Sequence, residues 1–288
     1  MNLMNMDDTA APDLLSDLPL SLIETILTLL PIRDAVKTSL LSSKWRYKWA
    51  SIPELVFCDD SVNFSPGKDT LELQGKLSNF ITHAIRLHKG PIHKFKIRSL
   101  VLQGCPVVDQ WLLFLSRNDV RELVLELGIG NLVRAPSCLF SCQYLTHLEL
   151  NWYELYPPTS FKGFAYLKTL ILQDGYTEAE AVGSLISNSP LLESLTLSFN
   201  HCDGGILNIY APKLKYLCLE GDFKKLCLEE TPLVETMIIS FLVDPDKLNP
   251  DEFQEHFGQS LSCNYVKFLS AVPNLRSLSG LVYFTKVK

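Results

Sequence analysis

The sequence predicts an α/β fold: a horseshoe-shaped solenoid of stacked strand-and-helix repeats, preceded by a small module of three helices. Three observations carry that expectation. Leucine occupies 52 of the 288 positions. A six-residue apolar frame recurs at intervals of 20 to 25 residues between Val120 and Ile239. Residues 14–50, also rich in leucine, do not fit that frame.

The frame reads apolar-x-x-apolar-x-apolar. It occurs as VRELVL from Val120, LTHLEL from Leu145, LKTLIL from Leu167, LESLTL from Leu192 and LKYLCL from Leu214, with a weaker copy, VETMII, from Val234. The starts are 25, 22, 25, 22 and 20 residues apart, inside the roughly 20–29-residue spacing of leucine-rich repeats. Alternation at the last four positions suits a short strand, with positions four and six facing a core and three and five facing out. Between strands, Val108, Trp111, Leu112 and Leu115 have the spacing of a helix packed behind the sheet, and Val182, Leu185 and Ile186 suggest another. Burying three leucines contributes about 5–9 kcal/mol. Ordering ~22 residues costs about 1–2 kcal/mol each in backbone entropy alone. No repeat can stand by itself, so neighbours must stack.

The ends of the array are ragged. At the front, both Ile92-x-x-Phe95-x-Ile97 and Ile97-x-x-Leu100-x-Leu102 fit. At the back, Leu275-Arg-Ser-Leu278 resumes the pattern 41 residues after Val234. Phe253, Phe257, Leu261, Val266 and Leu269 in that interval suggest one or two helices. The organisation expected is a flexible tail over 1–13, a helical module over 14–52, a linker and helix over 53–91, and the repeats over 92–288.

In the helical module, Pro19 suits the first turn of a helix, where its missing N–H is harmless. Ser21 and Glu24 have capping-box spacing and offer another start. Leu22, Ile23, Ile26, Leu27 and Leu30 make a broad apolar face before Pro31 ends the helix. Two short helices are expected near Arg33–Leu40 and Ser43–Ala50. So broad an apolar face on so small a bundle either meets a partner or docks on the first repeat. The residues alone leave both open.

Leu18-Pro19, the apolar helix closed by Leu30-Pro31, Ala35-Val36, Thr38-Ser39 and Leu41-Ser-Ser-Lys-Trp-Arg46 with Trp49 resemble an F-box of the plant type that precedes leucine-rich repeats. The segment His88-Lys-Gly-Pro-Ile-His-Lys-Phe95 and the run from Trp111 to Leu125 are similar to the same plant F-box/FBD/LRR family. Many relatives carry a further C-terminal FBD segment, which is not found before Lys288. The resemblance implies a substrate-receptor subunit of a cullin–RING ubiquitin ligase, non-catalytic and without a cofactor, whose F-box binds a Skp-type adaptor and through it a cullin. Carried over by position, the adaptor contacts are Leu18, Pro19, Leu22, Ile26, Leu27, Leu30, Pro31 and Val36. Trp45 and Trp49, four residues apart, are expected to pack inward.

The repeat frame nominates a second face for an unknown protein substrate. Its outward positions three, five and seven are Glu122, Val124 and Glu126, then His147, Glu149 and Asn151, then Thr169, Ile171 and Gln173. They continue with Ser194, Thr196 and Ser198, with Tyr216, Cys218 and Glu220, and with Thr236, Ile238 and Ser240. Four of these are acidic and none is Lys or Arg. Position two carries Arg98 (if the frame starts at Ile97), Arg121, Thr146, Lys168, Glu193, Lys215 and Glu235, four of them basic. A concave surface acidic toward its early repeats follows, suited to a basic or polar partner segment.

Other chemistry is not favoured. A net charge of −6 and a pI of about 5.6 argue against general nucleic-acid affinity. The longest apolar run, Trp111 to Leu115, is too short for a membrane span. With no secretory pattern at the start, a cytoplasmic or nuclear chain with free thiols is expected. Cys138 and Cys142 lack the second pair or the histidines a structural zinc needs and read as buried thiols, while Cys218 is at an outward position. The six histidines show no metalloprotease spacing, Gly128-Ile-Gly130 lacks a third glycine, and Asn63-Phe-Ser65 would meet no transferase inside the cell. Two other classes remain open: an interaction scaffold or decoy that delivers no ubiquitin, and a small-molecule co-receptor.

Overall fold

A computed structural model describes residues 15, 17–62, 69–128, 130, 132–199, 206–221, 225–243 and 270–284. The expected tail, the Asn63–Ser65 acceptor and the helices expected around Phe253, Phe257, Leu261, Val266 and Leu269 lie outside these residues.

Nine strands lie side by side in chain order, all parallel. They are β1 (Glu54–Cys58), β2 (Lys94–Ser99), β3 (Glu122–Leu127), β5 (His147–Asn151), β7 (Thr169–Gln173), β9 (Ser194–Phe199), β11 (Tyr216–Gly221), β13 (Thr236–Val243) and β14 (Ser277–Phe284). The return segments add two smaller parallel sheets. One contains β4 (Val133–Arg134), β6 (Tyr153–Leu155) and β8 (Tyr176–Thr177), the other β10 (Ile206–Tyr210) and β12 (Lys225–Glu229).

The leucine frame accounts for this order. Positions one, four and six of all six copies are buried, and the least buried, Ile239, is only 7% exposed. In the register, position four forms one ladder from Leu123 through Leu148, Leu170, Leu195 and Leu217 to Met237. Leu278 continues it on β14, as the resumed pattern at Leu275 requires.

From β5 onward, each strand of the main sheet is launched by the same turn. The carbonyls of Cys142, Phe164, Ser189, Ala211, Thr231 and Val272 accept the N–H three residues on, at 3.1–3.4 Å. Pro190, Pro212, Pro232 and Pro273 hold the second position, where a fixed φ favours the turn. The next carbonyls, from Pro53 and His93 through Arg121 and Thr146 to Glu235, each accept two N–H groups from the following repeat. No strand entry is left unsatisfied along this row.

At the front, the register settles an open choice and corrects one expectation. Phe95 and Ile97 pair with Leu123 and Leu125, so the frame starts at Ile92, not Ile97. Arg98 therefore occupies outward position seven rather than position two. The segment 53–91 is also more than a linker and helix. Ile52, Leu55 and Phe57 form a further buried frame on β1, which pairs with β2. The helix that follows, α3 (Thr70–Leu87), buries Leu73, Leu77, Ile81, Ala84 and Ile85 behind the sheet. The sheet begins at Glu54, not at 92.

Two later helices match their spacing. In α4 (Val108–Leu115), Val108, Trp111, Leu112 and Leu115 are buried, and in α5 (Ala179–Ser187) Val182, Leu185 and Ile186 are. The loop ahead of β7 passes so close to the end of α5 that a Cβ on Gly163 would sit 1.9 Å from the Asn188 carbonyl oxygen.

The N-terminal module contains α1 (Leu20–Thr28) and α2 (Ile32–Lys37). Pro19 and Pro31 precede them, and each proline carbonyl accepts two of the first free N–H groups, at 2.8–3.2 Å. The Ser21/Glu24 capping box is not used. The helix expected over Ser43–Ala50 is instead two 3-10 turns, Ser43–Trp45 and Lys48–Ser51. Trp45 and Trp49 are buried, and the module shares one apolar core with the repeats. The join is hydrogen-bonded: Lys89 N–H donates to Ala50 O at 2.8 Å, and His93 N–H donates to Pro53 O at 2.8 Å.

Candidate interaction site

The first face is on α1. Its i, i+4 pair Ile23 and Leu27 is fully buried, which leaves the rest of its apolar surface outside. Of the eight expected contacts, Pro19, Leu22, Ile26, Leu30 and Pro31 are exposed. Leu18 and Val36 are half-buried against the core. Leu27 is corrected to a core residue, fully buried and not on this surface. Sequence reasoning missed Leu20, Leu29, Leu40 and Leu41, all exposed, with Leu40 at 86%. The Leu29-Leu30 and Leu40-Leu41 doublets were the available signal, since adjacent residues on a helical turn do not share one face. So many apolar side chains on one small module mark a docking surface rather than scattered exposure.

The second face is the side of the main sheet that carries positions three, five and seven. The structure brings Glu122, Glu126, His147, Glu149, Asn151, Gln173, Tyr216 and Glu220 onto it, all half-buried. It does not leave the early repeats acidic. Lys94, Lys96 and Arg98 on β2 stand in register beside Glu122, Val124 and Glu126. Lys94 Nζ lies 3.2 Å from Glu122 Oε2 and 3.6 Å from Glu54 Oε2. Arg98 Nε lies 3.1 Å from Glu126 Oε2, and its Nη2 lies 3.0 Å from Glu149 Oε1. Val124, between Lys96 and Glu149 in the register, is buried despite its outward position.

Glu149 is the most enclosed acid of this network. His147, 3.8 Å away, lowers its pKa; burial opposes that, and Arg98 lowers it further. The carboxylate is held ionised and serves as a structural anion, already paired. Beyond β5 the character changes. Thr169, Gln173, Ser194, Thr196 and Ser198 present hydroxyl and amide groups, with the apolar Ile171 among them, and none of the six carries a charge.

The thiols of Cys138, Cys142 and Cys218 are not activated. Burial, reinforced by Cys138, pushes the Cys142 thiol up to about 12. Burial also raises Cys138 and Cys218, and a hydrogen bond from Tyr216 only partly offsets it at Cys218. Among the described residues no group of three or more His, Cys, Asp or Glu gathers as metal ligands would. No described helix is long and apolar enough to cross a membrane.

Residues 15–56 match the F-box domain model. Residues 108–250 match the model described as FBD-associated F-box protein At5g56370, LRR repeats. Neither model describes an enzyme. F-box/FBD/LRR-repeat protein At1g13570 of Arabidopsis thaliana is 49% identical over 276 residues, covering 96% of this chain and 64% of the relative. F-box/LRR-repeat protein At4g14103 of the same plant is 31% identical over 239 residues, covering 79% of this chain and 61% of the relative. F-box/LRR-repeat protein At1g55660, also of that plant, is 28% identical over 287 residues, covering 96% and 76%. The chain thus spans less than two thirds of the length of the first two. With a helical module of F-box type feeding directly into leucine-rich repeats, the chain belongs to the F-box/LRR-repeat family of plant proteins.

Proposed function

We propose that this chain is the substrate-recognition subunit of an SCF-type E3 ubiquitin ligase. F-box domains in general bind Skp-type adaptors, and a cullin is reached through the adaptor. The single observation that carries the reading is the division of α1: Ile23 and Leu27 complete the core, while Leu22, Ile26, Leu29 and Leu30 stay outside, as do Leu40 and Leu41. That outer face is the adaptor site.

The repeats bend into a horseshoe solenoid whose open face captures a protein substrate, and the chain acts in the cytoplasm, the nucleus or both. With Lys94 and Arg98 neutralising the early acids, capture falls to the uncharged stretch from Gln173 to Tyr216. The mechanism is proximity. A substrate held near a ubiquitin-charged enzyme has a raised effective concentration. The chain itself makes and breaks no bonds.

Co-purification with a plant Skp-type adaptor tests this, comparing wild type with Leu22→Ala/Ile26→Ala, both checked for folding by circular dichroism. Stoichiometric binding by wild type, lost in the folded variant, supports the receptor. If folded wild type binds none of the adaptors, the ligase role is lost and an interaction scaffold or decoy takes its place.

A further inference from the structure

The turns that launch the strands form an edge distinct from both faces above. Their third residues are Tyr144, Tyr166, Leu191, Lys213, Leu233 and Asn274. The Tyr144 and Tyr166 rings lie nearly parallel, with centroids 6.1 Å apart and 16° between planes. Each residue is about half exposed, at 52% and 51%. Together they present an aromatic shelf at the surface of the molecule.

Positive charge lies beside that shelf. Tyr166 and Lys168 flank the buried Leu167. The next repeat places Glu193 against Lys168, with Glu193 N–H donating to Lys168 O at 2.8 Å. Lys215 follows, its Nζ 2.7 Å from Glu193 Oε2. Lys213, Lys215 and Lys168 all act on this one carboxylate and lower its pKa. Lys215 alone pairs with it, and Lys168 and Lys213 make no ion pair among the described residues. The edge is therefore locally cationic in a chain whose net charge is −6.

We propose that Tyr144, Tyr166, Lys168 and Lys213 form a docking surface for an acidic peptide segment that carries an aromatic or proline residue. The apolar residue lies on the tyrosine shelf, and the acidic residues meet the two unpaired ammonium groups. Tyrosine suits this role because it offers a large amphipathic contact with little conformational entropy to lose. Charge complementarity supplies orientation and a faster encounter. A peptide fits better than a single-stranded nucleic acid. The two rings already stack on one another, so a base cannot enter between them. The surface does not depend on the ubiquitin-ligase reading.

The test is fluorescence anisotropy with a short fluorescein-labelled peptide of glutamates, prolines and one tryptophan. Its glutamine counterpart and a labelled oligouridylate serve as comparisons. Wild type is expected to bind the acidic peptide saturably, less tightly as salt is raised, and in preference to both comparisons. Tyr144→Ala/Tyr166→Ala and Lys168→Glu/Lys213→Glu each weaken it by about ten-fold or more, as loss of central interface anchors does. The lysine variant changes only exposed side chains and keeps its circular dichroism and its thermal unfolding midpoint. Three results overturn the proposal: no saturable binding by wild type, equal binding by the charge-reversed variant, or tighter binding of the oligouridylate.

Discussion

Arg98 Nη2 lies 3.0 Å from Glu149 Oε1 although strand β3 runs between the two residues. The same guanidinium holds Glu126 on β3 through its Nε. One side chain thus ties three strands and converts a row of acids into a paired network.

Removing that side chain makes the network's pH dependence measurable. Glu149 is lowered from the ordinary glutamate value of 4.5 by His147, against burial, and by Arg98, with Lys96 adding to the field. A depressed carboxyl stabilises the fold fully above its unfolded value and loses that stabilisation as pH falls through the folded one. Arg98→Ala is expected to cost about 1 kcal/mol at pH 7, a modest figure because Arg98 is half exposed. Urea denaturation across pH should show the wild-type advantage shrinking below the ordinary glutamate value. An advantage that grows on acidification contradicts the pairing.

The two sides of α1 should separate stability from adaptor binding. Leu27→Ala opens a cavity in a fully closed core and is expected to cost about 3 kcal/mol. Ile26→Ala, on the neighbouring exposed position, should cost less than about 1 kcal/mol. Thermal or urea denaturation decides it, and the opposite order would mean that α1 is rotated from the orientation described.

Gly163, in the loop ahead of β7, is expected to be less replaceable than Gly104. Its φ is +90°, and a Cβ there would meet the Asn188 carbonyl at 1.9 Å. Gly163→Ala should cost at least ~2 kcal/mol from backbone strain, before the clash is added. Gly104 has φ +65° but open space around it, so Gly104→Ala should cost about 1 kcal/mol. Equal costs in urea denaturation would remove the close approach of that loop to α5.

The repeats from Val120 onward were legible because their signal is local. Alternation along a strand sends every second side chain to one side whatever the neighbours are. The Pro-x-apolar starts at Pro190, Pro212, Pro232 and Pro273 carried the turn signal as well, and it went unused. The β1 frame at Ile52 was hidden by spacing. It lies 40 residues before Ile92, because the long helix α3 is inserted between them. The choice between Ile92 and Ile97 had no local answer, since both satisfy alternation. Only the pairing of Phe95 with Leu123 decides it.

By itself, then, the sequence determined the six frame strands from Val120 to Ile239, which of their residues line the core, and that a helical F-box module precedes the repeats. Tertiary structure decided what each surface presents. Arg98 and Glu149 are 51 positions apart in the chain, and their pairing exists only because β2, β3 and β5 stack in order. Counting charges along one strand finds acids, whereas neutralisation happens between strands. On α1, five apolar residues formed one broad face, and packing of the 3-10 turns and α2 settled that Ile23 and Leu27 go in and Leu22, Ile26 and Leu30 stay out. Apolar patterning is a property of neighbouring residues; burial and charge pairing belong to residues that meet only when the chain has folded.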